Sequence, residues 1–598
     1  MRTTPLALLA LVQAAVAAEI GVNSQIPGGA TKPLAAASAA TGSVALVEGR
    51  LVVRHQDGSE GALASGSYLG GNAQQGWNTL EVTGNPAAVQ TVDDWLQVRR
   101  AMGFLEGELT CKDILQFYPN FYSDLFGTKP PGAGSVAFIK ANYAWTKSMA
   151  EKKAASDEYW LAQLGTIRQL EGLYEGFLQS SCLASSGAEK SSWAWDSVAV
   201  KPILEQFLLI NAWGDMYQIA LKFEEPTRDL SRLYGLKHDL HVDRCSALVK
   251  VLPDYSDVLF AHNTWDGYEG MGPRILKHYA FPMFAASAGA ASSPPSSFAV
   301  SYDTFFSSSP MLLSSVDDFF IVNGRANLGV LETTNSLANL KLLELIKPET
   351  VLSWLRSTAS NVLATSGAQW PDLFARYHSG TYTNQWMVLD LSLFNPGSAP
   401  PTGFFSVLEE VPGLVVSKDQ TALLLEQTYW RSFNSPFYPD IQEAAGYTRL
   451  CKAGVSNACY EKAPRAVLFA EYQGAVSDLT GMQAIMQYNN FTQDAASAGD
   501  SCQAIACRGD LEPDERNVGA FGALDAKVGS AVRAKAAAAA AGSAAAFRPS
   551  VFAHLGPATS GGALSAFCWS KFAGSAGLSH VGQPDCFDFD WFVFGAPV

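Results

Sequence analysis

The sequence predicts one globular α+β protein of 598 residues. In the first part of the chain, apolar residues recur at intervals of three and four, as in residues 159–178, which is typical of helices. After Cys245, short runs rich in β-branched and aromatic residues are bounded by Gly, Pro, Asn or Asp and predict strands. No long charged or Pro-rich linker divides the chain. Helices segregated from a group of antiparallel strands indicate α+β layers.

The N-terminus predicts a signal peptide over residues 1–18. Arg2 supplies a positive charge, residues 5–16 form an apolar segment, and the small residues 15–18 offer a cleavage site. No other stretch reaches the roughly 18 to 20 uninterrupted apolar residues that a membrane-spanning helix needs. We therefore expect a protein of the secretory pathway without a transmembrane anchor.

The elements follow in chain order. Residues 43–70 alternate short apolar runs with Gly and Ser and predict strands joined by turns. Carboxylates after Thr91 indicate the start of a helix, and further helices are predicted over 159–178 and 203–221. The strands predicted after Cys245 are residues 246–252, 258–261, 319–322, 328–334, 386–391, 404–409 and 414–416, with a helix over 348–364.

Two stretches carry no chemistry. Residues 285–297 are rich in Ala, Ser and Pro and predict a loop, and residues 534–546 are nearly pure Ala.

Composition excludes some classes of function. Hydrophobic residues make up 48% of the chain and charged residues 16%, which predicts a sizeable core. The net charge of −15, without a cluster of Lys and Arg, argues against a nucleic-acid partner. An anionic membrane surface would also repel the chain at neutral pH, but less in an acidic compartment, where carboxylates protonate and His residues become charged.

Nine cysteines in an oxidising compartment leave one unpaired. The close pairs Cys451/Cys459 and Cys502/Cys507 predict local disulfides, Cys568/Cys586 is a plausible third, and Cys111/Cys182 follows only by elimination. The residue left over is Cys245, which has no other Cys within sixty positions. A lone cysteine is more often an inert buried thiol than a nucleophile.

The position of Cys245 at the start of a predicted strand suggests a second possibility. If the chain is cut between Arg244 and Cys245, the thiol gains its own α-amine, a base whose ordinary pKa is near 8. Such a cut proceeds by attack of the thiol on the preceding carbonyl and hydrolysis of the thioester. Cys245 is therefore a candidate N-terminal nucleophile.

Two further features could assist it. His262 follows seventeen residues later and could return on a neighbouring antiparallel strand to lie beside Cys245, although a His in such a run is more often part of the core. The pair Asp317 and Asp318 could supply acid and base, but more often forms a turn.

A set of longer motifs resembles the phospholipase B-like family, lysosomal or secreted proteins of the N-terminal nucleophile hydrolase class. The similarity extends over most of residues 40–595. It is carried by residues 245–253, 262–265, 274–279, 317–320, 331–336, 352–354, 379–390, 427–430, 463–466 and 525–528.

The resemblance implies an αββα sandwich of four layers and self-cleavage before Cys245. A mostly helical fragment 19–244 and a fragment 245–598 would then remain associated as one unit, of unknown oligomeric state. It implies a catalytic role for Cys245, His262 and Asn335. Pocket or oxyanion roles fall on Trp265, Thr333, Thr334, Asn384 and Arg431, of which Asn384 and Arg431 are the weaker candidates. No cofactor and no metal are implied.

The sequence leaves the substrate open. The family name implies acyl esters of phospholipids, but the implied machinery is that of amide hydrolases, so an N-acyl amide or peptide-like bond is a serious alternative. A third possibility is a non-catalytic secreted binding protein, for which Arg508-Gly509-Asp510 would be a candidate adhesion motif. Asn490 begins an N-glycosylation pattern.

Two features depart from the family pattern. The charged pair Asp243-Arg244 precedes the expected cut, which puts its efficiency in doubt, and the Ala-rich stretch near residue 540 resembles an insertion.

Overall fold

A computed structural model describes residues 38–55, 61–127, 131–185, 203–223, 245–284, 300–513, 518–541 and 547–595. The predicted signal peptide and Arg244 lie outside these residues. Helices and two large sheets make up the described chain, which confirms the α+β class. Among the described residues, no helix combines the length and apolar character needed to cross a membrane.

The strands are listed in chain order. They are β1 (Ser38–Val47), β2 (Arg50–Arg54), β3 (Ala64–Gly70), β4 (Trp77–Gly84), β5 (Cys245–Val251), β6 (Val258–Gly267), β7 (Arg274–Met283), β8 (Val300–Ser308), β9 (Phe319–Asn323), β10 (Asn327–Thr334), β11 (Asn384–Asp390), β12 (Phe405–Val411), β13 (Leu414–Asp419), β14 (Tyr429–Ser432), β15 (Phe521–Ala523), β16 (Asp525–Ser530), β17 (Val551–Leu555) and β18 (Phe592–Phe594).

The helices follow the same convention. They are α1 (Asn72–Gln75), α2 (Val92–Leu109), α3 (Cys111–Phe126), α4 (Ala133–Lys153), α5 (Glu158–Gln179), α6 (Ser181–Ser185), α7 (Ile203–Asn211), α8 (Trp213–Phe223), α9 (Ser353–Leu363), α10 (Trp370–Phe374), α11 (Thr421–Gln427), α12 (Pro439–Ala445), α13 (Tyr447–Lys452), α14 (Pro464–Tyr472), α15 (Leu479–Met486) and α16 (Ala531–Ala541).

The large sheet has eleven strands in the order β13-β12-β11-β10-β9-β8-β7-β4-β3-β1-β2. The small sheet has seven, in the order β14-β5-β6-β16-β17-β18, with β15 paired to β6. Strand β10 of the large sheet packs against β5 and β6 of the small sheet. The rings of Phe260 and Phe319 stack between the sheets with centroids 5.7 Å apart. The space between the two sheets is therefore a packed core.

Helices cover the outer faces. The paired helices α2 and α5 pack closely because glycines replace larger side chains: a Cβ on Gly103 would lie 1.9 Å from the carbonyl oxygen of Gln169. Helix α2 covers β1, β3 and β4. On the small sheet, α15 packs on β6 and β16, and Leu248 joins an apolar cluster with Leu468 of α14 and Met482 of α15.

The two parts of the chain share the large sheet. Strand β4 pairs in parallel with β7, with Trp77 opposite Arg274 and Thr83 opposite Ala280. Four strands of the large sheet, β1 to β4, thus precede residue 244. The first part is still mostly helical, but it supplies an edge of a sheet that residues beyond 245 complete.

Several predicted elements are present with adjusted ends. Helix α2 begins after Thr91, whose hydroxyl and the carboxylate of Asp94 form a capping box. The helix predicted over 203–221 is interrupted at Ala212 to give α7 and α8. Strands β7 and β8 and the short helices between residues 421 and 486 were not predicted, because their apolar residues have no clear period in isolation.

Candidate functional site

Cys245 is the first residue of β5, and its side chain is 3% exposed. Side chains alternate along a strand, so Cys245 and Ala247 share one face of the small sheet, whereas Ser246 and Leu248 share the other. Ala247 belongs to the main core between the sheets, and Leu248 belongs to the cluster under α14 and α15. The thiol therefore lies on the face of the small sheet that meets the large sheet.

Two residues from distant parts of the chain hold the main chain of Cys245. Its N–H donates to Oδ1 of Asn434 at 3.3 Å, and Nδ2 of Asn434 donates to the carbonyl oxygen of Thr334 at 2.6 Å. Nη1 of Arg465 donates to the carbonyl oxygen of Cys245 at 2.6 Å, and its Nη2 donates to Oδ1 of Asn434 at 2.7 Å. Asn434 thus connects the nitrogen of Cys245 to the end of β10.

His262 and Glu332 lie beside the thiol. One donor atom from each of Cys245, His262 and Glu332 lies within 4.8 Å of the other two, and all three side chains are buried. His262 is paired with Ala247 across the β5–β6 ladder, which places it on the same face as Cys245. The structure confirms the prediction that His262 lies on a neighbouring antiparallel strand.

Burial determines the protonation of these groups. Burial, followed by the negative charge of Glu332, raises the pKa of the Cys245 thiol well above its ordinary value, whereas the backbone N–H of Trp265 acts in the opposite direction. Burial, followed by the positive charge of Lys527, lowers the pKa of His262. The resting site therefore holds a neutral thiol and a neutral imidazole.

Glu332 shares a second contact with Asp318 and Tyr382. The Tyr382 hydroxyl lies 2.5 Å from Oδ2 of Asp318 and 3.0 Å from Oε1 of Glu332. Burial, followed by the charge of the other carboxylate, raises the pKa of Glu332, and burial also raises the pKa of Asp318. The two carboxyl groups are therefore inclined to hold a proton between them.

Behind this group lies a buried set of charges that connects the two sheets. Lys527 of β16 contacts Asp525 at 2.6 Å and the Thr264 hydroxyl at 2.7 Å. Arg274 of β7 contacts Asp525 at 2.7 Å and also pairs with Asp317. Asp317 and Asp318 are thus buried polar residues directly before β9, where the chain bends and Asp318 has a positive φ of 41°.

The threonine-rich end of β10 also lies at the site. The Thr333 hydroxyl lies 2.6 Å from the hydroxyl of Ser432. Ser432 belongs to β14 and is paired with Ala247 of β5. Thr334 contacts Asn434 through its carbonyl oxygen. Asn384 of β11 is paired with Thr334, and Asn335 follows β10; both are fully buried. The structure brings Thr333 and Thr334 to the strand of Cys245, with Asn335 and Asn384 next to them.

Trp265 and Arg431 are placed differently. The Arg465 guanidinium lies 4.3 Å from the ring centre of Trp265, which is buried beside the main chain of Cys245. Arg431 is paired with Leu248, and its guanidinium donates to the carbonyl oxygen of Ala466 at 3.1 Å and pairs with Glu461. Arg431 therefore lies on the face of the small sheet that α14 covers, away from Cys245.

Sequence reasoning missed the residues that hold Cys245 in place. Asn434 and Arg465 lie 189 and 220 residues further along the chain. Two signals could have indicated them. Asn434 precedes a Ser-Pro pair, which is typical of a turn, and it has a φ of 69° in the structure; Arg465 belongs to the motif 463–466 and lies in the first turn of its helix. Glu332 stood in a quoted motif without a role.

Four disulfides are present, Cys111–Cys182, Cys451–Cys459, Cys502–Cys507 and Cys568–Cys586. Cys245 is a free cysteine. Asn490 is half-buried in a loop, and Thr492 of its glycosylation pattern is exposed.

The tripeptide 508–510 is not displayed for adhesion. Arg508 is fully buried and donates to the carbonyl oxygen of Ala558 at 2.6 Å and to Asp510 at 2.8 Å. Asp510 also accepts a hydrogen bond from the Tyr268 hydroxyl at 2.8 Å. The charged groups that a receptor would recognise are thus occupied inside the protein.

Comparison with known proteins adds a family to this geometry. The model of a family described as Phospholipase B matches residues 64–594. The chain is 34% identical over 530 residues to Phospholipase B-like 1 of Homo sapiens, and the alignment covers 88% of this chain and 86% of that protein. It is 32% identical over 545 residues to Phospholipase B of Crotalus adamanteus, covering 90% and 88% of the two chains. Phospholipase B-like protein G of Dictyostelium discoideum is 30% identical over 557 residues, covering 89% and 86%.

Proposed function

Because the chain belongs to the phospholipase B family, we propose that it is a hydrolase that uses Cys245 as an N-terminal nucleophile to cleave acyl bonds of lipids. The observation that carries the proposal is the placement of a free thiol at the start of β5, with its main-chain nitrogen held by Asn434 and with His262 and Glu332 beside its sulfur. A phospholipid acyl ester is the substrate that the family name supports best.

The first step is cleavage of the chain itself. Sγ of Cys245 attacks the carbonyl carbon of Arg244, the bond from that carbon to the nitrogen of Cys245 breaks, and the nitrogen takes up a proton. Water then hydrolyses the thioester and leaves a carboxylate on Arg244 and a free thiol and amine on Cys245. The polar residues around Cys245 support this step because they fix its nitrogen and its carbonyl oxygen at the start of a rigid strand.

Turnover reuses the same atoms. The amine of Cys245 accepts the thiol proton, the thiolate attacks the acyl carbon, and the departing alcohol receives the proton. Water hydrolyses the resulting thioester and releases the fatty acid. A neutral buried thiol needs such a base, since burial disfavours the thiolate before the reaction begins. Asn434 would position the amine, and Thr333 or Thr334 would lie near the developing oxyanion.

The two fragments would remain associated after the cut. Strands β4 and β7 pair across the sheet, and Lys277 of β7 forms a buried ion pair with Glu106 of α2 at 2.7 Å. Residues 19–244 and 245–598 would separate only by exposing that charge pair and the sheet edge. We extend the proposal to an N-terminal nucleophile sandwich of αββα type in a secreted or lysosomal protein that carries a signal peptide over 1–18 and a glycan on Asn490.

Mass spectrometry of the mature protein tests the proposal. We expect two fragments, the second beginning at Cys245, and a thioester on Cys245 when the reaction with a lipid ester is quenched in acid. Residues 244 and 245 still joined in active protein would overturn the scheme.

A matched pair of substrates separates the two chemistries. A phospholipid ester and an N-acyl amide with the same acyl chain are compared with processed protein. Faster release from the ester supports the phospholipase activity, whereas faster release from the amide would assign the protein to the amide hydrolases.

A further inference from the structure

The group formed by Cys245, His262 and Glu332 contains buried polar atoms that lack a well-directed hydrogen bond. Among the described residues, neither ring nitrogen of His262 makes a well-directed hydrogen bond, although the imidazole contacts the backbone of Glu332, and Oε2 of Glu332 accepts none from an N–H or hydroxyl group. Both side chains are fully buried, and Cys245 is not in a disulfide. Buried polar atoms normally have partners, so two such groups beside a free thiol point to a ligand that all three residues could share.

We propose that Cys245, His262 and Glu332 form a binding site for a thiophilic divalent cation such as Zn²⁺, and that the bound cation blocks the nucleophile. Sulfur, imidazole nitrogen and carboxylate oxygen are all ligands of zinc, and the combination favours zinc over magnesium or calcium, which prefer oxygen alone. In the part of the chain that the structure describes, these three residues are the group of His, Cys, Asp and Glu side chains whose ligand atoms lie close enough together to hold a metal ion. The inference that the cation inhibits the protein rests on the proposed function, whereas the inference that the cation binds does not.

The spacing is close to what coordination needs. Zinc–ligand bonds of about 2.0 to 2.3 Å in a tetrahedral site place neighbouring ligand atoms about 3.3 to 3.7 Å apart. The three donor atoms lie within 4.8 Å of one another, so small side-chain rotations would bring them to a common centre. A side-chain contact orients one of the ligands, because Oε1 of Glu332 lies 3.0 Å from the Tyr382 hydroxyl. A cation bound to Glu332 would displace the proton that this carboxyl group shares with Asp318.

The charge of the surroundings also permits a cation. Lys527 lies near the site, but its ammonium is already paired with Asp525 at 2.6 Å, and the Arg465 guanidinium is engaged by the carbonyl oxygen of Cys245 at 2.6 Å. Arg274 is likewise paired with Asp317 and Asp525. Binding would release the protons of the thiol and of Glu332, and the divalent cation would then neutralise the two anionic ligands.

Processing would strengthen the site. Once the chain is cut, the amine of Cys245 becomes a fourth donor, and it can close a chelate ring through the nitrogen and sulfur of the same residue. Asn434 would hold that amine through an N–H while the lone pair faces the cation. The proposed cation would therefore occupy the amine and thiol that turnover needs, and it would compete with the substrate.

Titration with Co²⁺ tests the binding directly, because a thiolate bound to Co²⁺ gives a charge-transfer band in the near ultraviolet. We expect one equivalent of Co²⁺ per chain with that band, and its displacement by Zn²⁺. Cys245→Ser should remove the band, and Glu332→Gln should weaken binding by at least about tenfold. The matched control is His580→Ala, since His580 is exposed, stacks on Trp569 and is not part of the proposed site; this variant should bind Co²⁺ as the wild type does.

Two results would overturn the proposal: Co²⁺ binding without a charge-transfer band, or equal affinity in Cys245→Ser. Near-ultraviolet circular dichroism checks that each variant is folded. Should a variant fail to fold, methylthiolation of Cys245 in the wild-type protein replaces it and should likewise abolish the band. Acyl release is measured on the metal-free protein and again after addition of excess Zn²⁺. No release by the metal-free protein, with the band still appearing when Co²⁺ is added, would refute the proposed function alone, whereas release that excess Zn²⁺ leaves unchanged would refute the inhibition.

Discussion

Two buried groups of polar residues in this protein differ in how completely their hydrogen bonds are satisfied. Around Arg356, every guanidinium nitrogen has a partner: Glu410 at 2.9 and 3.1 Å, Ser353 at 3.0 Å, Ser379 at 3.2 Å, and two carbonyl oxygens. Around Cys245, His262 and Glu332 keep atoms without hydrogen bonds. A satisfied group stabilises one conformation, whereas an unsatisfied group is costly and persists where chemistry requires it. Mutations should therefore affect stability at the first group and activity at the second.

The largest expected effect is that of removing the thiol. Cys245→Ala should abolish self-cleavage and lower acyl release by about a thousandfold or more, because no other group can form the thioester. Cys245→Ser should retain slow cleavage at most. Gel electrophoresis and a lipid-ester assay measure the two effects. Cleavage of Cys245→Ala at the wild-type rate would remove this residue from the mechanism.

The Arg356 group should respond in stability. Arg356→Met leaves Glu410 buried with only the His378 imidazole, 2.9 Å away, as a partner, and we expect the free energy of unfolding to fall by about 3 kcal/mol. Arg376→Met is the matched control, since Arg376 and Asp157 form a partly exposed pair that should contribute about 1 kcal/mol or less. Urea denaturation measures both. Equal losses in the two variants would contradict the contrast between satisfied and exposed charges.

Asp215 gives the Arg356 region a pH dependence. Burial raises the pKa of Asp215 to about 6, although the Thr381 hydroxyl and the N–H of Ser353 favour its charged form. An acid whose pKa is raised in the folded state stabilises the protein below its unfolded pKa, and that contribution is lost as pH rises through 6. We expect the free energy of unfolding to fall by about 2 kcal/mol between pH 4 and pH 8 from this residue.

Asp215→Asn is the control for this effect. Its side-chain oxygen can keep both hydrogen bonds to Oδ1, but it cannot titrate. The variant should show a flatter dependence of unfolding free energy on pH. An unchanged slope would mean that other buried acids dominate the profile.

The sequence predicted the residues whose signals are local. Cys245 stood out as an unpaired thiol before an apolar strand, and His262 came near it because the two lie on successive strands of one hairpin. The α+β class and the family were also predictable, since period and motifs are visible in the chain. These features need only separations of a few tens of residues.

The rest depended on long-range packing. Arg431 was proposed as a pocket residue, but its position in the register, opposite Leu248, directs it to the other face of the small sheet. One residue of register decides the face, and sequence alone does not supply it. Asn434 and Arg465 reach Cys245 only after β14 and α14 have docked on β5, so their roles could not be inferred from spacing.

The His262→Leu variant should show the smallest loss of stability, and it tests most directly the contrast between the Arg356 group and the Cys245 group. His262→Leu removes two buried nitrogens that lack hydrogen bonds and keeps a similar volume. Because an unsatisfied buried polar group costs about 1 to 3 kcal/mol, the variant should be as stable as the wild type or more stable, by up to that amount. Turnover should fall by about a hundredfold, since the imidazole beside the thiol is lost. Thermal unfolding and the lipid-ester assay are measured on the same preparation. A loss of stability as large as that of Arg356→Met, with turnover reduced only in proportion to the unfolded fraction, would mean that His262 is a packing residue and that the contrast between the two groups does not hold.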